Sequence, residues 1–474
     1  MRGRRIFATR MANVVGLCAV PHRLRAEQDP AVENDDRMMP THDELAAVLR
    51  RALLQAIQAT SPSMRDPFPT IDCSIALLPP LGKIGSASWA HVLIQAGNSE
   101  GLRGDLDPRT ATGPHNISYF ADPVNDAKDS IAWQPGANWR EFKHLEHLSG
   151  EGPHRAIAPY PASVIKLMVA VGVCLLIDKK ALRWEEMAIV GRERLSISDC
   201  CDRMISVSSN EATEALVALL HERGLIDRSS NRNDINNHFQ TFGLHGLRFD
   251  NSTPQGGWRN PDGAGVGKLQ MTSWDCLRLL WLGVGKLQMT SWDCLRLLWL
   301  MLDASGEAGV SPPWLSTSRK SDSTTASNIG QHFISESSAK RFWHWMERQA
   351  LHEVLSSSLL CGLPNWVQGI PARLPKLWIN AQGQAQIGPE RWPGNFLSQQ
   401  DRASVNFAHK TGSTWSYAAN AGLVSSIKPG GRRYLIAIMS TLGIRHAAQQ
   451  RTVTPWLMAG FGAQIDAWIA ERLG

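Results

Sequence analysis

No Cys-x-x-Cys pair occurs in this sequence, although it has eight cysteines: Cys18, Cys73, Cys174, Cys200, Cys201, Cys276, Cys294 and Cys361. Such spacing gives no support to a metal or redox site. Several of these cysteines sit in apolar runs, where a buried free thiol is the plain expectation, and a disulfide framework is not expected in a chain of 474 residues. No metal or organic cofactor is implied. Also missing is any apolar stretch long enough to span a bilayer. Lysine and arginine form no long runs, and the formal net charge is only +6, with a pI of about 8.9. This mild excess favours solubility; without a basic stripe or zinc-finger spacing, nucleic acid is not an expected partner. A nucleotide-binding loop is absent too: in Gly263–Lys268 the leading glycine is replaced by Asp262, and Leu269 stands where Ser or Thr is required. Tyrosine is scarce, 4 against 18 tryptophans, and the tryptophans read as core or groove packing.

What is present is an ordinary globular balance, 43% hydrophobic and 19% charged. Residues 1–40 read as a leader or loose lead-in. They begin with a basic MRGRR like the start of a signal peptide, but Arg10 interrupts the apolar stretch that should follow. Thr41-x-x-Glu44 is a capping box ahead of an amphipathic helix over Leu45–Ile57. Ile71–Leu78 and Trp89–Gln95 read as strands, and residues 96–157 as a long irregular excursion. From Ser163 the run SVIKLMVAVGVCLLIDKK is apolar almost all round, which demands a central, buried helix. Further helices are expected over Glu211–Glu222, Ala339–Leu360 and Pro455–Leu473. Strands are expected over Val405–Thr411, Ala419–Ile427 and Arg433–Ser440, with loops at Gly256–Gly267 and 303–336. Residues 265–282 recur letter for letter at 283–300. Eighteen residues make five helical turns, so a second copy would extend a helix without rotating its apolar face; a recent tandem duplication or an assembly error explains the identity. The order of elements predicts an antiparallel sheet assembled from both ends of the chain, with a helical subdomain inserted.

Three short strings carry chemistry, in this order: Ser163-Val164-Ile165-Lys166, Ser208-Ser209-Asn210 and Lys410-Thr411-Gly412. Each is weak alone. S-x-x-K recurs at Ser337–Lys340 and Ser425–Lys428, and S-x-N at Ser229–Asn231. Ser208-x-x-Glu211 would also serve as a capping box, and Lys410-Thr411-Gly412 would also end an edge strand. Only Ser163, however, opens a long apolar helix ahead of both partners. Positions i and i+3 share a helix face, which sets Lys166 beside Ser163. A buried lysine near another cation such as Lys410 loses its proton readily and becomes a base for the serine hydroxyl. At a helix amino terminus the Ser163 N–H is available to an oxyanion.

Together the strings resemble the S-x-x-K, S-D-N and K-T-G set of the serine β-lactamase and penicillin-binding protein superfamily, closest to class A β-lactamase-like serine hydrolases. The resemblance covers roughly residues 41–474. It implies an α/β (α+β) fold with a five-stranded antiparallel sheet flanked by helices. The sheet part would be 41–160 and 375–474, and the inserted helical part 161–374. It implies an acyl-enzyme on Ser163, with Lys166, Ser208 and Lys410 catalytic and Asn210, Thr411, Gly412, Ser413 and Thr414 holding substrate. Ser413 would supply the second oxyanion N–H, and Ser208 would relay a proton to the leaving nitrogen. The substrate would be a β-lactam or a peptide ending in D-Ala-D-Ala, the protein an exported monomer; a sensor that is acylated without turnover is the alternative. Two departures stand out. The family's deacylating Glu has no counterpart in LRFDNSTPQGG, where Thr253 stands at about that position, with Asp250 and Asp262 as candidate substitutes. Nor does the strand after K-T-G carry an Arg for a substrate carboxylate.

Overall fold

The computed structural model of the chain describes residues 39–59, 68–107, 113–122, 144–250, 252–259, 265–266, 287–318 and 333–474. The basic amino-terminal segment, Asp262, most of the GAGVGK string and residues 267–286 of the repeat lie outside the described residues.

Helix α1 spans His42–Gln58. Its start is the capping box: the Glu44 N–H donates to Thr41 Oγ1 at 3.2 Å, and the Thr41 N–H donates to Glu44 Oε2 at 2.8 Å. Strands β1 (Ile71–Leu78), β2 (Ser88–Gln95) and β3 (Asn98–Arg103) form a meander. Strands β4 (Val405–Ser413), β5 (Ala418–Ser426) and β6 (Arg433–Ser440) form another. The two meanders join through β1 and β6, paired from Ile71↔Ser440 to Leu78↔Arg433. The resulting antiparallel order is β4-β5-β6-β1-β2-β3, six strands rather than the five expected. The extra strand, β3, is a polar, half-exposed edge reached through Gly97 at φ 86°, with no apolar alternation to reveal it.

Every residue of β1 and β6 is buried, because both faces of the sheet are covered. Period-two alternation sorts the side chains. Ile71, Cys73, Ile75, Tyr434, Ile436 and Ile438 pack on α1 and on α7 (Trp456–Leu473). Ala76, Leu78, Leu435, Ala437 and Met439 pack on the opposite layer, where α2 (Lys166–Asp178) is buried continuously from Lys166 to Leu176. Around α2 stand α3 (Ile197–Ser206) and α4 (Asn210–Glu222), while α5 (Ser291–Ala304) lies on β1, β5 and β6 and meets α6 (Glu336–Glu347), which also packs on α2.

Two expectations need correction, and the second repeat copy is placed in part. The 96–157 stretch also holds short strands at Ile117–Phe120, His147–Ser149 and His154–Ile157, which form a small sheet too brief to show periodicity. The helix expected over Ala339–Leu360 is α6, which stops at Glu347; the chain then turns so that the Ala350 N–H donates to Ser206 O at 2.8 Å. The second copy of the repeat is not helical from end to end. In the second copy Leu287–Gln288 pairs with Arg248–Phe249, and Thr290 caps α5 by accepting from the Asp293 N–H at 3.1 Å. The helix therefore starts within the copy. Among the described residues no helix is long and apolar enough to cross a membrane.

Candidate active site

Ser163 lies in a 3-10 turn, Ala162–Ile165, rather than in the α-helix itself, which begins at Lys166. The turn is entered through Ala162 at φ 46°, a left-handed conformation that costs a non-glycine residue about 1–3 kcal/mol. Edge strand β4 lies directly on this turn. A Cβ added at Gly412 would stand 2.6 Å from Ser163 N and 2.7 Å from Pro161 O. Both are backbone atoms with no way to move aside, so the glycine permits the contact.

Lys166 is 1% exposed. Its Nζ donates to Ser208 O at 2.6 Å, to Asn210 Oδ1 at 2.8 Å and to Ser208 Oγ at 3.1 Å. Burial, helped by the nearby Lys410 cation and opposed by Glu211, pushes the amine well below the ordinary lysine range. Ser208 sits at the junction of α3 and α4 with φ 58°. It is not the capping residue. Ser209 caps α4, accepting from the Ala212 N–H at 3.1 Å, and this leaves the Ser208 hydroxyl turned toward Lys166.

Lys410 is wholly buried and donates to Thr411 O at 2.7 Å. Burial holds its amine down at about 7, against an opposing pull from Glu353. Glu353 is itself buried, and desolvation lifts its carboxyl to about 7 while Lys410 draws it back. Sequence reasoning missed Glu353, because a single glutamate in QALHEVL carries no signal of its neighbour 57 positions away. Thr411 is 2% exposed and pairs with Asn420. Ser413 ends β4 opposite Ala418. Thr414 closes the following turn: its N–H donates to Tyr417 O at 2.8 Å, and its hydroxyl accepts from the Tyr417 N–H at 3.1 Å. Trp415, at the tip, is 63% exposed. Beneath these turns Tyr417 donates to Asp122 Oδ2 at 2.9 Å, and Trp258 Nε1 donates to Tyr160 at 2.9 Å. The rings of Tyr160 and Tyr417 meet edge to face, so the turns before Ser163 and after Gly412 share one buttress.

The competing strings separate clearly. Lys340 is exposed and pairs with Glu336, Ser425–Lys428 runs into a surface turn, and Ser229 donates to Asp227 on an exposed loop. Of the candidate carboxylates, Asp250 accepts from Asn236 Nδ2 at 2.5 Å and from Arg248 Nε at 3.3 Å. Thr253 is used in a turn, its carbonyl accepting from the Gly256 N–H at 2.8 Å. Gly256, at φ 93°, rests this loop on Glu214 of α4. Among the described residues no group of three His, Cys, Asp or Glu side chains converges as a metal cage.

The sequence model of the Beta-lactamase enzyme family matches residues 158–453, more than half of the chain. No curated protein matches. Similar solved structures include that of PBP-A, 12% identical over 89% of this chain and 94% of that one, with a TM-score of 0.39. A β-lactamase from Sphaerobacter thermophilus is 12% identical over 89% and 95%, with a TM-score of 0.39. The TLA-1 extended-spectrum β-lactamase is 12% identical over 91% and 99%, with a TM-score of 0.40. Overlaps at that level add nothing to the family match. That match extends from before Ser163 to beyond Gly412, and on its extent this chain belongs to the β-lactamase enzyme family.

Proposed function

We propose that the protein is a serine acyl hydrolase that forms an acyl-enzyme on Ser163 with a β-lactam or a peptide ending in D-Ala-D-Ala. The observation that carries this reading is the desolvated Lys166 amine, gripped by Ser208 and Asn210 on the helix that continues from the Ser163 turn. A neutral Lys166 keeps its two N–H groups for Ser208 O and Asn210 Oδ1, and its lone pair accepts the Ser163 proton as Oγ attacks the carbonyl carbon. The oxygen gains the negative charge, and the backbone N–H groups of Ser163 and Ser413 receive it. As the tetrahedral adduct collapses, the C–N bond breaks and the nitrogen takes up a proton passed from Lys166 through the Ser208 hydroxyl. Asn210 and the 411–414 segment hold the substrate's amide and acid groups. Water then cleaves the ester and regenerates Ser163.

Deacylation is the slower half in this reading. Thr253 stands where the similar loop carries a glutamate, and Asp250 is engaged by Arg248 and Asn236. A fluorescent penicillin tests the proposal. A band that forms on wild type, is absent from Ser163→Ala and fades over minutes or longer is expected. Labelling that survives Ser163→Ala would overturn it. The domain division at about 161 and 374 and a monomeric state belong to the same proposal.

A further inference from the structure

One wholly buried side chain joins the two segments that carry the second and third motifs. Gln349 follows α6 and is 0% exposed. Its amide nitrogen donates to Ile205 O at 2.9 Å, three residues before Ser208, and to His409 O at 3.3 Å, the residue before Lys410. Its amide oxygen accepts from the Leu351 N–H at 2.9 Å, which fixes the side chain's direction. The carbonyl at 205 is in the last turn of α3, where helical partners run out, and the carbonyl at 409 is on edge strand β4. A primary amide is suited to this place: its two N–H donors serve both carbonyls while the oxygen serves a third group.

The surrounding strap repeats the connection. The Ala350 N–H donates to Ser206 O at 2.8 Å, and the Leu355 N–H to Asn420 Oδ1 at 3.2 Å. Asn420 Nδ2 in turn donates to Lys410 O at 3.1 Å and meets His409 Nδ1 at 2.9 Å. Residues 349–355 therefore tie the end of α3 to β4 and β5.

We infer that Gln349 is a positioning residue for acylation: it sets the separation between the Lys410 strand and the Ser208–Asn210 junction, and so keeps the Lys410 ammonium close to Lys166. The inference rests on Ser163 being acylated with neutral Lys166 as base. The charged and titratable groups around the two amines are Glu211 on α4, Glu353 and His352 on the strap, and His409 on β4. Slackening the strap withdraws a cation from Lys166, which then holds its proton to higher pH.

The test is the acylation rate constant for a fluorescent penicillin, followed against pH in wild type, Gln349→Met and Gln349→Leu, with a melting curve for each. The methionine has similar length and no donors. A misplaced site costs on the order of 10- to 100-fold in rate. The acid limb of the rate profile is expected to move upward by about half a pH unit or more as the cation withdraws. A folded Gln349→Met with unchanged rate and limb overturns the inference, as does a slower rate with an unmoved limb. Should the methionine variant fail to fold, Gln349→Leu decides in the same way, since it has neither an N–H to offer nor a charge that would shift the lysines by itself. Wild type that takes no penicillin on Ser163 defeats the proposed reaction itself. Acylated wild type with indifferent variants defeats only the role of Gln349.

Discussion

Lys166 and Ser208, 42 positions apart in sequence, meet through two contacts: the lysine Nζ donates to the Ser208 carbonyl at 2.6 Å and to its hydroxyl at 3.1 Å. A serine held at φ 58° pays strain for that placement, which fits a site in which the hydroxyl must face the amine rather than cap a helix.

The adjacent serines 208 and 209 are therefore expected to separate cleanly by mutation. Ser209→Ala removes the cap of α4 and should cost about 1 kcal/mol of stability with acylation nearly unchanged. Ser208→Ala should leave stability close to wild type and slow acylation by about 10²- to 10⁴-fold. Urea unfolding paired with penicillin labelling reads both.

Replacing Lys166 by methionine should abolish base catalysis, a loss of about 10²- to 10⁴-fold in acylation rate. Stability should change much less. Ser208 O and Asn210 Oδ1 lose a donor, but Ser208 is half-buried and Asn210 exposed, so water takes its place. Melting curves beside labelling rates check the contrast.

Gly412→Ala places a methyl 2.6 Å from Ser163 N and 2.7 Å from Pro161 O, so strand and turn must part. Overpacking of this kind costs about 1–3 kcal/mol, and acylation should fall by about 10²-fold or more from misplacement. Stopped-flow acylation with a thermal melt measures both.

The buried amines also set a pH dependence. Lys410 titrates at about 7 when folded against 10.5 for an ordinary lysine, so between those values the unfolded chain binds the extra proton and stability rises with pH. Lys166 acts in the same sense. Glu353 works oppositely: its carboxyl titrates at about 7 against 4.5, so the folded state holds the proton in that window and stability falls as pH rises through it. Lys410→Met should flatten the rise above neutrality, as measured by denaturant midpoints across pH 7–10.5.

Much of this was legible in the chain itself. Apolar runs such as Ile71–Leu78 and Arg433–Ser440 announced central strands, and the all-round apolar character of the segment after Ser163 announced the buried helix. The three motif strings stood out by order and context. What stayed hidden depends on contacts between distant segments. Strand β3 has no periodicity of its own, because its pairing with β2 holds it in place. The strap from Gln349 to Leu355 reads as helix because its residues favour helix, yet carbonyls on α3 and β4 draw it out of that form. Which of the adjacent serines 208 and 209 caps α4 is a one-residue ambiguity that local pattern does not resolve.

The most direct measurement is peptide mass spectrometry of the protein after brief exposure to a penicillin. A mass increase equal to one intact penicillin is expected on the peptide containing Ser163, and none there in Ser163→Ala. An unmodified protein, or an adduct on any other residue, would contradict it.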